Sequence, residues 1–181
     1  LSAAEATYGP KHPETSIIRM NLGDDYLYGL ELDQAIEMLS ASEAALTESN
    51  GANTLYSLSA RTDLGFAYLF SGRHADALSA FERAAAGWAE ALPKHPTRAM
   101  ALLGRFQAMR ATGKTSAPDD LQTALGLGGD LPPFELGRVQ LEAALATRDE
   151  KLLAAARENL KSIGLPLIAA ELKRADGAAI R

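Results

Sequence analysis

The segment Ala111–Thr115, with the sequence ATGKT, has the residue types in this chain that best suit catalysis. Gly-Lys-Thr ends the phosphate-binding loop of P-loop proteins, where backbone amides and the lysine hold the anion. That loop also requires a glycine five residues before its second glycine, and position 108 is alanine. The preceding residues have the spacing of a helix rather than a strand. We therefore expect no nucleotide site here and interpret Gly113 as the end of a helix.

The other side chains considered for metal binding or proton transfer are scattered along the chain. They are His12, His74, His95 and the acidic pair Asp24 and Asp25. Neither loop histidine, at positions 12 and 95, has a histidine or carboxylate at i+3 or i+4 with which to share a metal on a helix. Adjacent aspartates on a helix diverge by about 100 degrees and do not form one site. The chain has no cysteine, which excludes thiolate zinc sites and a cysteine nucleophile. We expect no catalytic residue, no metal and no cofactor.

The composition also limits the class of partner. A net charge of −5 and a pI near 5.2, without a cluster of Lys and Arg, argue against nucleic-acid binding. The longest uncharged run, Ser49–Ala60, is largely polar and far shorter than the roughly 20 apolar residues of a membrane-spanning helix. The chain begins at Leu1 without Met or a signal-like apolar core, so we expect it to be a fragment of a longer protein.

An internal repeat is the strongest regularity of the sequence. RMNLGDDYLYGLELDQAIEML at Arg19–Leu39 aligns with RTDLGFAYLFSGRHADALSAF at Arg61–Phe81, 42 residues later. The identities are Leu22, Gly23, Tyr26, Leu27 and Ala35 with Leu64, Gly65, Tyr68, Leu69 and Ala77. Each copy has apolar residues at i, i+4 spacing on both sides of a turn signal, YGLELD or SGRHAD. Each unit is therefore predicted to be a helix, a tight turn and a second helix.

Two further features of the repeat concern its glycines and its loops. Gly23 and Gly65 fall inside predicted helices, where glycine costs about 1 kcal/mol relative to alanine, and we expect close approach of the second helix, at the aligned alanines, to offset this cost. The sequence PKHP occurs at Pro10–Pro13 and at Pro93–Pro96, close to two repeat lengths apart. Both copies are predicted to be loops before a first helix, where proline ends one helix and starts the next and the histidine caps or packs.

The motif LGxxY followed by Ala-(Leu/Ile)-x-x-(Phe/Leu) resembles the tetratricopeptide repeat (TPR) over about Pro10–Trp88. The 42-residue period and the segment YGPKHPETSIIRMNLG at Tyr8–Gly23 resemble the kinesin-light-chain-like subclass that is found in bacterial Ser/Thr kinase and regulator C-terminal regions. The resemblance implies an all-α fold: a right-handed TPR-like helical-hairpin solenoid with C-terminal capping helices. Such a fold acts as a protein-interaction scaffold.

The expected organisation is a TPR-like region at 1–127, with units at about 10–50, 52–92 and 94–127, and a degenerate helical pair with a capping helix at 128–181 in the same solenoid. The third unit is predicted to contain a helix at Thr97–Thr112 and a short helix at APDDLQTALGL. The breaker GLGGDLPP separates it from FELGRVQLEAALAT and DEKLLAAARENLKSIG, a pair without a clear TPR signature, and from a terminal helix at LPLIAAELKRA.

The resemblance further implies that a peptide lies on the concave face of the superhelix. The residues expected there are Met20, Asp24, Leu27, Tyr28, Thr62, Phe66 and Phe70, with Arg105 and Arg110 as possible anion contacts. Phe66 is expected to line an open groove because its aligned residue is Asp24, whereas Leu27, Leu69 and Phe70 have the alternative of packing between helices. The Lys and Asn clamp of chaperone-tail-binding TPR proteins is absent at Met20, Asp24, Thr62 and Phe66.

These observations predict a non-enzymatic protein–protein interaction module of a larger regulatory protein, with a protein or peptide partner, no nucleic acid and no membrane insertion by this segment. The alternative is the sensory or substrate-recruiting C-terminal region of a bacterial Ser/Thr protein kinase, although the chain has none of the kinase motifs. An enzyme on a helical scaffold has no constellation of residues to support it. A cytoplasmic location is favoured, or a periplasmic one if a spanning segment precedes Leu1.

Overall fold

The structure is a computed structural model that describes residues 1–115, 118–161 and 164–178. These residues form ten α-helices and one 3-10 turn, Gly128–Asp130, with no strand among them, and the predicted all-α fold is confirmed. Residues 116, 117, 162, 163 and 179–181, which fall in the predicted units 94–127 and 128–181, lie outside the described residues. The helices are α1 (Ser2–Tyr8), α2 (Pro13–Gly29), α3 (Leu32–Asn50), α4 (Leu55–Phe70), α5 (His74–Ala91), α6 (Thr97–Ala111), α7 (Pro118–Leu127), α8 (Pro133–Thr147), α9 (Glu150–Leu160) and α10 (Pro166–Gly177).

The helices stack as successive hairpins, and the first helices of the hairpins form a ring. The pairs α2/α3, α4/α5, α6/α7 and α8/α9 pack as hairpins, and α10 follows on α9. Helices α2, α4, α6, α8 and α10 each contact the next in this order, and α10 also contacts α2. The second helices α3, α5, α7 and α9 each pack between two consecutive ring helices. The face that the sequence predicts to be an open concave surface is therefore the interior of this ring.

Helices α2 and α4 make equivalent contacts 42 residues apart. The Nη1 group of Arg19 donates a hydrogen bond to the carbonyl oxygen of Pro10 over 3.2 Å. The Nη1 group of Arg61 donates to the carbonyl oxygen of Ala52, also over 3.2 Å. In both cases a buried guanidinium ties a first helix to the loop that precedes it, which accounts for the arginine that begins each aligned segment.

The glycines of the repeat permit close helix contact, as the sequence predicts, but the partner residue differs from the one expected. A Cβ atom at Gly23 would lie 2.7 Å from Cγ of Leu39, and one at Gly65 would lie 2.7 Å from Cε1 of Phe81. The contact is thus with the residue four places after the aligned alanine, since the larger side chain reaches across the hairpin. In both units a side chain on the second helix occupies the space that a Cβ would need.

The two PKHP histidines cap the helices that follow them, in agreement with the sequence analysis. Nδ1 of His12 accepts a hydrogen bond from the backbone amide two residues later over 3.2 Å, and Nδ1 of His95 does the same over 3.3 Å. Each ring also stacks on an aromatic residue of the preceding helix, with 5.1 Å between the ring centroids of His12 and Tyr8 and 4.9 Å between those of His95 and Trp88. The repeated loop sequence therefore has a repeated structural role.

The Gly-Lys-Thr segment ends α6, as the sequence predicts. Gly113 has a positive φ of 71°, and its amide donates to the carbonyl oxygen of Arg110 over 3.1 Å. The amide of Lys114 donates to the carbonyl oxygen of Met109 over 2.9 Å. This pair of hydrogen bonds is the Schellman arrangement, which satisfies the last carbonyls of a helix. The glycine is required by the left-handed backbone rather than by a phosphate.

Helices α8 and α9 form a hairpin with the same glycine contact as the first two units, although their sequence has no clear TPR signature. A Cβ atom at Gly137 would lie 3.0 Å from Cγ of Leu160. Gly137 follows Leu136, so that the Leu-Gly pair of α2 and α4 occurs again in α8. The residue after this pair is Asp24 in α2, Phe66 in α4 and Arg138 in α8.

Candidate interaction site at the ring of first helices

Arg138 fills the interior of the ring. Its side chain is 1% exposed, and its Cζ atom lies 4.3 Å from the centroid of the Phe66 ring and 5.7 Å from that of Phe70. Its Nε and Nη2 atoms have no hydrogen-bond acceptor, and the nearest carboxylate oxygen at Nε, from Glu171, is 3.8 Å away. A guanidinium stacked on aromatic faces is stabilised by the ring quadrupole. The buried cation of α8 thus joins the last hairpin to the aromatic residues of α4.

The expectation that Phe66 lines an open groove is wrong. Its side chain is 2% exposed, and its ring makes an edge contact with Phe81 at 4.9 Å and a stacked contact with Phe70 at 6.0 Å between centroids. The remaining face is covered by the guanidinium of Arg138. The alignment with Asp24 correctly placed Phe66 on the inner side of α4, but the inner side is occupied by α8.

Three carboxyl groups, on three different helices, lie within the electrostatic influence of this cation. Burial and the charges of Glu135 and Asp25 raise the pKa of Asp24 from 3.8 to about 7, against the opposing effect of Arg138. Burial, with the charges of Asp24 and Glu135, also raises the pKa of Asp63 well above its ordinary value, and burial raises that of Glu135. Each of the three side chains keeps some solvent contact. Near neutral pH the cluster therefore holds protons that isolated carboxyl groups would have lost.

Tyr28 connects α2 directly to α8. Its hydroxyl donates a hydrogen bond to Oε1 of Glu135 over 3.4 Å, and its ring makes an edge contact with Phe134 at 5.5 Å between centroids. Burial is the main cause of a raised pKa at Tyr28, so the phenol stays protonated and remains a donor. The predicted groove residue is thus part of the contact between the first and last hairpins.

Other predicted groove residues lie within the helix packing. Leu27 is 2% exposed and belongs to the core, as one alternative of the sequence analysis allowed. Thr62 is fully buried, and its hydroxyl has partners there: it donates to the carbonyl oxygen of Leu58 over 2.8 Å and accepts from Nε1 of Trp88 over 3.2 Å. Leu27 and Thr62 are therefore corrected from groove to core. Met20 is partly buried against the same core.

Arg105 is committed to its own hairpin. Its Nε and Nη2 atoms bind both carboxylate oxygens of Asp120, at 2.8 and 2.5 Å, and Asp120 is 5% exposed. A bidentate pair of this kind satisfies the donors along one edge of the planar guanidinium. The expected anion contact at Arg105 is thus occupied by an acidic residue of α7.

An open pocket of about 470 Å³ lies at one mouth of the ring. It contains two of the predicted residues, Phe70 and Arg110, together with residues from α8 and α10 that the sequence analysis did not identify. The lining residues are Leu69, Phe70, Gln107, Arg110, Ala111, Glu142, Leu145 and Arg174. Apolar side chains form one part of the wall and charged or polar side chains the other, which is a composition suited to an amphipathic ligand.

Glu142 organises the charged side of this pocket. Its side chain is 4% exposed, and its two oxygens accept from Nη1 of Arg110 over 3.2 Å and from Arg174. Nε2 of Gln107 donates to it over 2.8 Å, while Oε1 of Gln107 is buried without a partner. The side chains of Arg110 and Arg174 remain 56% and 42% exposed, respectively. One buried carboxylate therefore fixes two cations at the mouth without withdrawing them from solvent.

Other classes of site were sought in the part of the chain that the structure describes. No group of three or more His, Cys, Asp or Glu side chains in it has an arrangement that could hold a metal ion. Within the same ranges, none of the helices combines the length and the apolar character needed to cross a membrane.

Comparison with solved structures identifies similar folds. The chain superposes on a kinesin-light-chain-like protein of nearly identical TPR-like repeats from Podosopora anserina with a TM-score of 0.63, at 22% identity over 91% of this chain and 86% of the other. A single-residue variant of that protein gives a TM-score of 0.62 with the same identity and coverage. No protein-family model matches the chain, and no curated protein does. The chain therefore has a TPR-like helical-repeat fold.

Proposed function

We propose that this chain is a protein-interaction module of a larger regulatory protein and that it binds a protein or peptide partner at the open mouth of the ring. The observation that carries this proposal is the 470 Å³ pocket in which Phe70 and Arg110 meet Glu142 and Arg174. In this proposal residues 1–127 supply the TPR-like units, and residues 128–181 complete the binding surface as well as capping the solenoid.

The chemistry of the pocket supports this role. Leu69, Phe70 and Leu145 give an apolar wall, and the exposed guanidiniums of Arg110 and Arg174 give donors with fixed positions. Aromatic and arginine side chains are enriched among the residues that dominate binding energy at protein interfaces. The other predicted groove residues are buried or partly buried in the helix packing, so the proposed partner surface is narrower than the sequence predicts and includes two of the predicted residues, Phe70 and Arg110.

Site-specific photo-crosslinking tests the location of the partner. A benzophenone side chain at Ala111, which is exposed at the pocket, should crosslink one recurrent protein or peptide. The same probe at Ala89, which is exposed on α5, provides the matched control. The expected result is a product at position 111 that Arg110→Glu abolishes while the fold is retained. Equal crosslinking at the two positions would place the partner elsewhere.

The regulatory context is a separate part of the proposal. The alternative, a sensory or recruiting region of a bacterial Ser/Thr protein kinase, predicts that kinase motifs precede Leu1 in the full polypeptide. The coding sequence upstream of Leu1 distinguishes a kinase from a regulator with another output domain. It would also show whether a spanning segment precedes the repeats.

A further inference from the structure

Helix α10 closes the ring of first helices, and it carries one of the two exposed arginines of the mouth. Besides packing on α9, it contacts α8 and α2, so it joins the last hairpin to the first. Arg174 of α10 pairs with Glu142 of α8, which also holds Arg110 of α6. The site at the mouth is therefore complete only while α10 is seated across the ring.

The attachment of α10 to α9 is polar and well satisfied. The guanidinium of Arg157 on α9 donates to the carbonyl oxygen of Ala175 from Nε over 3.2 Å and from Nη2 over 3.0 Å. Nη2 also donates to the carbonyl oxygen of Ala178 over 3.3 Å. One cation thus binds carbonyl oxygens at the C-terminal end of α10, where a helix leaves acceptors without partners.

The contacts of α10 with the ring are looser. A cavity of about 200 Å³ lies between Leu167 of α10 and two residues of the repeat units, Leu30 and Phe70, and Leu30 remains 41% exposed. Side chains around such a space lack part of their dispersion contacts. On α8, Nε of Arg138 is 3.8 Å from Oε1 of Glu171, beyond hydrogen-bond range. The seat of α10 on α2 and α8 is therefore incompletely packed and incompletely bonded.

Leu30 lies at a backbone position that favours glycine. Its φ is 62°, in the left-handed region, and the aligned residue of the second unit is Gly72, with a φ of 80°. Both residues follow a first helix, and their amides donate to equivalent carbonyl oxygens, those of Leu27 and Leu69. A leucine in this conformation carries a backbone cost that glycine avoids. The chain thus places an apolar side chain, at a cost, where α10 meets α2.

We propose that α10 is a closing helix: it stays attached to α9, moves away from and back onto α2 and α8, and assembles the site at the mouth when it brings Arg174 to Glu142. Burial of Leu167 and Ile168 makes the closed state the more populated one. A partner that contacts Arg174 binds the closed state, so its apparent affinity is reduced by the fraction of open molecules. The role of the mouth rests on the proposed function, whereas the motion of α10 does not.

Distances between spin labels test the motion. The chain has no cysteine, so labels attach only at introduced positions. Asn21→Cys on α2 with Lys173→Cys on α10 reports closing, and Ala154→Cys on α9 with Lys173→Cys reports the attachment to α9; all three sites are exposed. The first pair should show a main population and a second one at longer distance. The second pair should show a single narrow population.

Two substitutions should shift this equilibrium in opposite directions. Leu30→Asn removes the apolar contact but suits the left-handed backbone, and it should raise the open population roughly fivefold. Arg148→Asn, at the other non-glycine residue with positive φ, is the matched control and should have no effect. Ala170→Leu extends into the cavity and should lower the open population roughly twofold or more, whereas Ala169→Leu, exposed on the same helix outside the cavity, should not.

The motion is overturned if Leu30→Asn and Arg148→Asn give the same distances for the first pair, if the two alanine variants agree, or if the second pair broadens with the first. Crosslinking from the benzophenone at position 111 then separates the two proposals. Leu30→Asn should lower its yield, although Leu30 does not line the mouth. An unchanged yield overturns the assembly of the site by α10. Distances that respond as expected in a chain that never crosslinks support the motion and contradict the proposed function.

Discussion

Gly65→Ala tests the close packing on which the hairpins depend. The methyl group would lie 2.7 Å from Cε1, 2.9 Å from Cδ1 and 2.9 Å from Cζ of Phe81. Real Cβ atoms do not approach carbon this closely, so either the ring or the helix must move. The ring has little room, because it also lies against Gly104, where an added Cβ would overlap it as well.

Two effects of opposite sign set the magnitude of this change. Replacing glycine by alanine inside a helix contributes about 1 kcal/mol of stability. Overpacking a buried contact costs about 1–3 kcal/mol. We expect the overlap to win, with Gly65→Ala lowering the free energy of unfolding by ~1–2 kcal/mol. At this chain length that corresponds to a fall of roughly 2–8 °C in Tm.

The assay is urea unfolding followed by circular dichroism, with Gly126→Ala as the matched control. A Cβ at Gly126 in α7 would have no atom within 4 Å, so the same change there should be neutral or stabilising. Phe81→Leu removes the ring atoms in contact, and Gly65→Ala should cost less in that background, with a coupling energy of about 1 kcal/mol or more. The reasoning fails if Gly65→Ala stabilises the chain as much as Gly126→Ala does.

Three further expectations follow from burial and charge. Asp24 binds a proton more tightly in the folded state, so the free energy of unfolding should fall as pH rises from about 4 to 7. The shift of the Asp24 pKa from 3.8 to about 7 sets a ceiling near 4 kcal/mol for this fall, which solvent contact reduces to ~1–2 kcal/mol. In urea unfolding at each pH, Asp24→Asn but not Asp25→Asn should flatten the dependence of stability on pH. Phe66→Ala should cost about 3–5 kcal/mol, whereas Phe70→Ala, at the pocket, should cost less and weaken partner binding measured by calorimetry. Millimolar ATP should leave Tm unchanged, as in the control Lys114→Ala; a nucleotide-dependent rise would contradict the assignment of this segment as a helix end.

Local signals in the sequence predicted the helices well. Proline at the start of α2 and the glycine at the end of α6 are signals that act within a few residues, so the predicted helix at Thr97–Thr112 differs from the observed Thr97–Ala111 by one residue. The histidine caps of the PKHP loops are also local, since each bonds to an amide two residues away. Such features depend on short stretches of chain and can be inferred from them.

The environment of the inner face could not be inferred in the same way, because it depends on contacts between distant hairpins. Phe66 is covered by Arg138, and the pKa of Asp24 depends on charges of α8, while Asp24 in turn affects Asp63 of α4. The Leu-Gly pair before Arg138 was a signal for this, since it places the arginine at the position that Phe66 and Asp24 occupy. The same pair precedes Arg105 in α6, but Arg105 binds Asp120 instead. Without the ring closure, however, nothing in the pattern indicates that the three positions meet.

The use of one repeat position for three different residue types explains how a repetitive fold acquires a specific interior. In the open solenoid that the sequence predicts, the residue after the Leu-Gly pair would face a groove, and the fold would not restrict its type. Here the guanidinium of Arg138 covers the Phe66 ring and opposes the charge of Asp24, so side chains of the chain itself occupy this surface. The side chains left for a partner are those that this internal contact does not reach, such as Phe70 and Arg110 at the mouth. Under the proposed function, closure of the ring moves recognition of a partner from the groove to its edge.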